Sequence, residues 1–277
     1  MKDDSSLLYA CAIDDIGLIE ERVAHATPAQ LKKSNQEYGT PLHAAALNGD
    51  KQAVDLLVAA GADCEAGNFV HNNAMLACVE AGKLDMARYL IDKGSNPTRK
   101  GVQNRNALSQ LILYCWDRDF AEYLVGLGLD VNQTSIDKQS LLSDAASTNN
   151  ADAIDFLLDH GIDRNYFNSA LCWGIIRNAP RAVELLLDKG GDLDKMYPTL
   201  KGIEKGVYHL IMTKENAHDM IRLLVNQGVD FTKTPQRQVV VGIDSTKLSP
   251  VEYAKEYFQK FPGRTCIPGN LAIVEGR

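Results

Sequence analysis

Gly39-Thr40-Pro41-Leu42-His43-Ala44-Ala45-Ala46, then Asn48-Gly49, then Val54-Asp55-Leu56-Leu57-Val58-Ala59-Ala60-Gly61-Ala62-Asp63, is the stretch on which the fold turns. Thr40 has a side chain that accepts a hydrogen bond from the free N–H groups of a first helical turn. Pro41 follows at the first helical position, where its missing N–H costs nothing. Val54, Leu57 and Val58 lie at i, i+3 and i+4, one face of a second helix. Gly61 can take the left-handed conformation that ends it. A helix of about ten residues is marginal alone, so this pair needs a neighbour over its apolar face.

The neighbours are in the same sequence. The second helix recurs as Ala87-Arg88-Tyr89-Leu90-Ile91-Asp92-Lys93-Gly94 and as Ala121-Glu122-Tyr123-Leu124-Val125-Gly126-Leu127-Gly128. Further copies close at Gly161, Gly190 and Gly228, so the closing glycines are spaced by 33, 34, 33, 29 and 38 residues. Thr40, Asn73, Asn106, Ser140 and Ser169 open the first helices at intervals of 33, 33, 34 and 29. All five are helix-capping types, so period and local chemistry point to one unit.

This unit resembles the ankyrin repeat, a family whose unit runs about 33 residues around a T-P-L-H-x-A core. The resemblance covers residues 5 to 261 and is sharpest in the first full copy. It implies an all-α fold: an ankyrin-repeat solenoid of stacked antiparallel helix pairs with projecting turns or hairpins. Three regions are expected: residues 1–37 as an N-terminal capping repeat, 38–231 as about six ankyrin repeats, and 232–277 as an irregular C-terminal capping repeat and tail. Leu7 to Ala12 and Gly17 to Val23 supply the two helices of the first cap. Terminal repeats are atypical because one face meets water.

Two stretches depart from the period. The long fifth interval centres on residues 195–202, where an extended hairpin or loop is expected. Residues 238–243, Gln-Val-Val-Val-Gly-Ile, form a β-prone run that suits a projecting strand pair. Ser249-Pro250 then opens a last helix ending near Phe261-Pro262-Gly263, and Cys266 to Arg277 is expected to be irregular.

Composition narrows the function. The 277 residues carry a net charge of −7 with Lys and Arg dispersed, which argues against nucleic acid. No apolar run approaches the 18 residues of a membrane span, so no membrane role is expected. Met1-Lys2-Asp3-Asp4 is acidic where a signal peptide is basic. Six dispersed cysteines without a CxxC pair suit a reducing compartment, and a cytoplasmic location is expected.

Enzyme signatures are absent: no G-x-x-x-x-G-K-[ST] loop, no H-E-x-x-H helix and no G-x-S-x-G elbow. No catalytic residue, metal site or cofactor is therefore expected. The tail after Pro235 is too short to enclose an active site. Asp63, Asp130, Asp163, Asp192 and Asp230 follow the closing glycines at one repeated offset, which marks turn chemistry. His160 sits at a helix C-terminus, a structural position. The resemblance implies that His43 hydrogen-bonds neighbouring turn backbone.

What remains is surface. The resemblance implies a concave groove, formed by turn tips and the exposed flank of each first helix, that binds another protein. The register places Tyr38, Phe69, His71, Gln103, Arg105, Tyr114, Trp116, Asp137, Tyr166, Phe167 and Arg177 there. Aromatic and Arg side chains are the types enriched at binding hot spots. The expected protein is a non-enzymatic adaptor or inhibitor, monomeric when free, that grips one protein partner. Small stand-alone ankyrin proteins with degenerate repeats resemble several bacterial immunity proteins, and the acidic balance suits a basic toxin. A secreted effector acting on a host protein is the alternative.

Overall fold

The computed structural model describes residues 6–68, 72–193, 207–233 and 248–276. These fall into two compact units, split between Lys138 and Gln139. The stretches expected to project at residues 195–202 and 238–243 lie outside the described residues.

The N-terminal unit stacks four helix pairs: α1 (Leu7–Ala12) with α2 (Ile16–Val23), α4 (Pro41–Asn48) with α5 (Lys51–Ala59), α6 (Ala74–Glu80) with α7 (Leu84–Asp92), and α8 (Ala107–Tyr114) with α9 (Arg118–Gly126). A short α3 (Pro28–Lys32) is interposed after the first pair. First helices pack on first helices, α1 on α4, α4 on α6 and α6 on α8. Ala45 and Ala46 at this seam are fully buried, and side chains that small let the helices approach closely.

The C-terminal unit repeats the scheme. Its pairs are α10 (Leu141–Ser147) with α11 (Ala151–Asp159), α12 (Phe167–Arg177) with α13 (Pro180–Asp188), α14 (Val207–Met212) with α15 (His218–Asn226), and α16 (Pro250–Lys260) with α17 (Cys266–Val274). First helices α10, α12, α14 and α16 pack in series, as do second helices α11, α13, α15 and α17. Among the described residues no strand occurs; the closest approach is the isolated bridge Asn35–Gly39 at a turn tip.

The capping chemistry read from the period is present at four of its five positions. Thr40, Asn73, Asn106 and Ser140 accept hydrogen bonds from the backbone N–H of His43, Leu76, Ser109 and Ser143 at 3.4, 2.9, 3.0 and 3.2 Å. The closing glycines all have positive φ, from 76° at Gly161 to 104° at Gly94. Asp63, Asp130, Asp163 and Asp230 each accept the N–H two residues on, at 2.8 to 2.9 Å, so these acids are turn formers.

Two expectations are corrected here, and one element is new. Ser169 is not a cap: α12 begins earlier, at Phe167, and Ser169 lies inside it with its hydroxyl 2.9 Å from that of Ser143. The repeat is about one helical turn short, and a 3₁₀ turn over Arg164–Tyr166 takes the place of a projecting loop. Residues after Cys266 are not irregular but form α17. Ile267 and Asn270 are fully buried there, and the Asn270 amide donates to the carbonyls of Met212 and Lys214 at 3.0 and 3.1 Å. α3 was not anticipated. Its signal is Thr27-Pro28-Ala29-Gln30, in which Thr27 and Gln30 form a reciprocal capping box.

His43 ties the second helix pair to the third. Its Nδ1 accepts from the Thr40 N–H (3.3 Å) and lies 2.7 Å from the Thr40 hydroxyl, so Nε2 carries the proton and donates to the Asn72 carbonyl at 2.9 Å. Burial holds the imidazole below its ordinary pKa of 6.5, opposed in part by the Asn72 bond. The unfolded chain therefore binds this proton more readily than the folded one. His43's contribution to stability is complete above about pH 6.5 and declines as the pH falls from there through the lowered folded value. Urea unfolding between about pH 7.5 and about pH 5.5 is expected to show falling stability, by at most about 1.4 kcal/mol per pH unit for one proton. His43→Gln should flatten that slope; an unchanged slope would assign it elsewhere.

Candidate functional site

The surface residues expected to contact a partner divide between turn tips and the far ends of first helices. At the tip before α8, Gln103 and Asn104 both have left-handed φ, 55° and 61°. The turn is held from below: the Gly101 N–H donates to the Arg105 carbonyl at 2.8 Å. Arg105 is fixed on its own repeat, with Nε donating to Gln103 Oε1 (3.2 Å) and Nη1 to Ser109 Oγ (3.1 Å). The next tip hydrogen-bonds onto this one, Ile136 N–H to the Gln103 carbonyl at 3.1 Å. Ile136 is 65% exposed beside exposed Asp137. Nothing in the register singled out Ile136; its signal was an aliphatic side chain in a polar turn.

Asn72 organises this end of the unit. Its carbonyl takes His43, its Oδ1 accepts the Val102 N–H at 3.1 Å, and its amide donates to Glu80 Oε2 at 3.0 Å. One residue, through its backbone carbonyl and its side chain, thus links three successive repeats. It leaves no room at Gly101, where an added Cβ would fall 1.9 Å from Asn72 Oδ1.

Tyr114 and Trp116 sit at the other end of α8, about 12 Å from the tip by helical rise. The reason for their display is a break in the pattern. Gly49, Gly82 and Asn149 occupy the corresponding turn in other repeats, all with positive φ. Cys115 stands there instead, at φ −155° and ψ 53°, with its thiol donating to the Val79 carbonyl at 2.9 Å. The altered turn leaves Tyr114 59% exposed and Trp116 half-buried.

Tyr38 is half-buried at the first tip, its hydroxyl donating to Glu37 Oε1 at 2.5 Å. In the C-terminal unit Tyr166 is half-buried, and exposed Arg177 lies over the Trp173 ring, 5.9 Å from its centroid. Phe167 is corrected: at 3% exposure it is a core residue under the Arg164 guanidinium, because α12 starts at this position and turns the ring inward. Phe69 and His71 lie outside the described residues.

Chemistry-bearing groups do not converge among the described residues. Among the described residues no group of three or more His, Cys, Asp or Glu is placed to hold a metal ion, and no helix is long and apolar enough to cross a membrane. Burial pushes the Cys11 and Cys78 thiols up to about 12, the reverse of a nucleophile's needs. Acidity is uneven: residues 1–138 carry 19 Asp and Glu against 13 Lys and Arg, and residues 139–277 carry 17 against 16.

Stacked short helix pairs, Thr-Pro-Leu-His capping and exposed aromatic side chains define a repeat protein of the protein-binding class. A family model of ankyrin repeats, in three copies, matches residues 7–101 and 109–197, and the chain belongs to that family. It is an all-α ankyrin-repeat solenoid, a protein–protein interaction module. Among solved structures it is similar to the ankyrin repeat domain of Bcl-3, described as a unique member of the IkappaB protein family. The two share 25% identity over 69% of this chain and 89% of that one, with a TM-score of 0.56. No curated protein matches the sequence.

Proposed function

We propose that this chain is a non-enzymatic adaptor or inhibitor, monomeric when free and cytoplasmic, that grips one protein partner through its tip and first-helix side chains. The observation that carries the reading is the display of Tyr114 and Trp116 where the repeat's own turn chemistry is broken. A large aromatic side chain left in water costs solubility, and binding to a protein is what recovers it. Solved ankyrin domains such as that of Bcl-3 support the class.

The sharper form is an immunity protein that covers a basic toxin. Its support is the acid excess of the N-terminal unit, since complementary charge speeds encounter more than it deepens affinity. Association with the product of a neighbouring gene, followed by surface plasmon resonance, tests it. The on-rate is expected to fall about tenfold between about 0.05 M and about 0.5 M NaCl, with a smaller change in off-rate. An on-rate indifferent to salt would remove the basic partner, and the absence of any complex would remove the immunity role.

A further inference from the structure

The turns that join first to second helices carry opposite charge in the two units. Taken with the last residue of each first helix, those of the N-terminal unit hold Asp14, Asp15, Asp50, Glu80 and Asp117 against Lys83. Those of the C-terminal unit hold Arg177, Lys214, Lys260 and Arg264 against Glu215. Capping follows the same division. Asp15, Asp50 and Asp117 cap α2, α5 and α9, whereas α13 and α15 open after Ala179 and Ala217, which give no capping bond. A helix N-terminus without an acidic cap leaves its partial positive charge beside the basic turns.

Three of these turns lie side by side. Lys214 Nζ donates to the Ile176 carbonyl at 2.6 Å, and the Asn178 amide donates to the Asn216 carbonyl at 2.9 Å. On the other side of the same turn, Arg264 Nη1 meets Glu215 Oε1 at 3.7 Å, and the Asn270 amide donates to the Lys214 carbonyl at 3.1 Å. Arg177, Lys214, Arg264 and Lys260 thus form one row across three successive repeats. The contacts place these cations without neutralising the row. Arg177 is braced on the Trp173 ring, a carbonyl takes Lys214, and Glu215, the one acid of the three turns, serves Arg264. Burial, and after it the charge of Arg177, holds the Lys214 amine below its ordinary 10.5, so like charges face each other here.

The row selects an anion, and its surroundings select a peptide. Four cations against one acid leave a positive surface that carboxylates complement. An open hollow of about 470 Å³, lined by Glu215 and by Lys260 to Arg264, ends the row, with Phe261 51% exposed in its wall. The Trp173 ring lies under Arg177 at the other end. Apolar contacts between charges suit protein side chains better than a bare phosphate backbone. The net charge of −7 also repels a long polyanion. Packed helices lie about 8–10 Å apart and an extended chain rises about 3.3 Å per residue, so carboxylates about three residues apart reach successive turns.

We propose that this row binds an acidic, extended segment of the partner protein, its carboxylates about three residues apart. This contact rests on the protein-binding reading above, is additional to Tyr114 and Trp116, and is compatible with a partner of either net charge.

Fluorescence anisotropy of the full chain with a fluorescein-labelled peptide of four Glu-Val-Ser units tests it. Saturable binding is expected with a Kd of about 0.1 mM, and the same peptide with Gln for Glu should bind at least about tenfold more weakly. Arg177→Glu plus Lys260→Glu should weaken the acidic peptide about tenfold or more. Both residues are exposed, so the thermal melt of this variant is expected to be unchanged. Lys32→Glu plus Lys83→Glu makes the same change in net charge on the N-terminal unit and should leave binding within about twofold at ordinary salt. Three results would overturn the proposal: no saturable binding, equal binding of the glutamine peptide, or equal losses in the two double variants, which would reduce the effect to net charge. Tighter binding of a single-stranded DNA of the same length would also overturn it, putting phosphates in place of carboxylates. None of these touches the protein-binding reading, which depends on whole-partner affinity and its loss at Tyr114.

Discussion

Gly101→Ala is expected to lower stability by about 3 kcal/mol, one of the larger effects a single methyl group can have here. The new Cβ would fall 1.9 Å from Asn72 Oδ1 and 3.0 Å from Leu76 Cδ1. The Asn72 amide cannot simply rotate away, because it already serves the Val102 N–H and Glu80. Moving it breaks those bonds in a part-buried site, and overpacking adds to the loss. Gly61→Ala is the control. Nothing lies within 4 Å of its Cβ, so only the cost of φ +92°, about 1 kcal/mol, remains. Urea unfolding of both variants separates crowding from conformational strain. Equal losses would mean that Asn72 can be moved at little cost.

The fold was legible because repetition multiplies weak signals. One Thr-Pro-Leu-His is suggestive; helix openings and closing glycines recurring near 33 residues leave little else to build. The same reasoning failed where one observation stood alone. Ser169 fits the series only by tolerating an interval of 29, and those missing residues moved the helix start to Phe167. That shift also turned Phe167 from surface to core. α17 was missed because the chain terminus was expected to be irregular, yet the helix runs through Pro268 and Gly269. In fact Pro268 lies in the first turn, where its missing N–H is harmless. Gly269 permits close approach, since a Cβ would come 2.8 Å from His218 Nε2.

The candidate site was legible only in part. Register located Tyr114 and Trp116, and Arg105 and Gln103 with them. It could not reveal that Cys115 replaces a left-handed residue and so reshapes the turn that displays the two rings. Nor could it bring Arg177, Lys214 and Arg264 into one row, which depends on contacts between turns where the period breaks down.

Affinity for a purified partner, captured from lysate of the source organism on the whole chain, tests the central claim most directly. Calorimetry would compare the natural sequence with Tyr114→Ala and with Tyr114→Ala plus Trp116→Ala. Anchoring aromatic residues cost about 2 kcal/mol or more each when truncated, and neighbouring losses overlap, so the double variant is expected to bind about 100-fold more weakly. Tyr114 is 59% exposed, so its single variant should fold normally and still lose about tenfold or more. One stoichiometric partner lost in this graded way would establish a binding protein that works through the end of α8. Binding of the double variant within about twofold of the natural chain, or no partner at all, would contradict it.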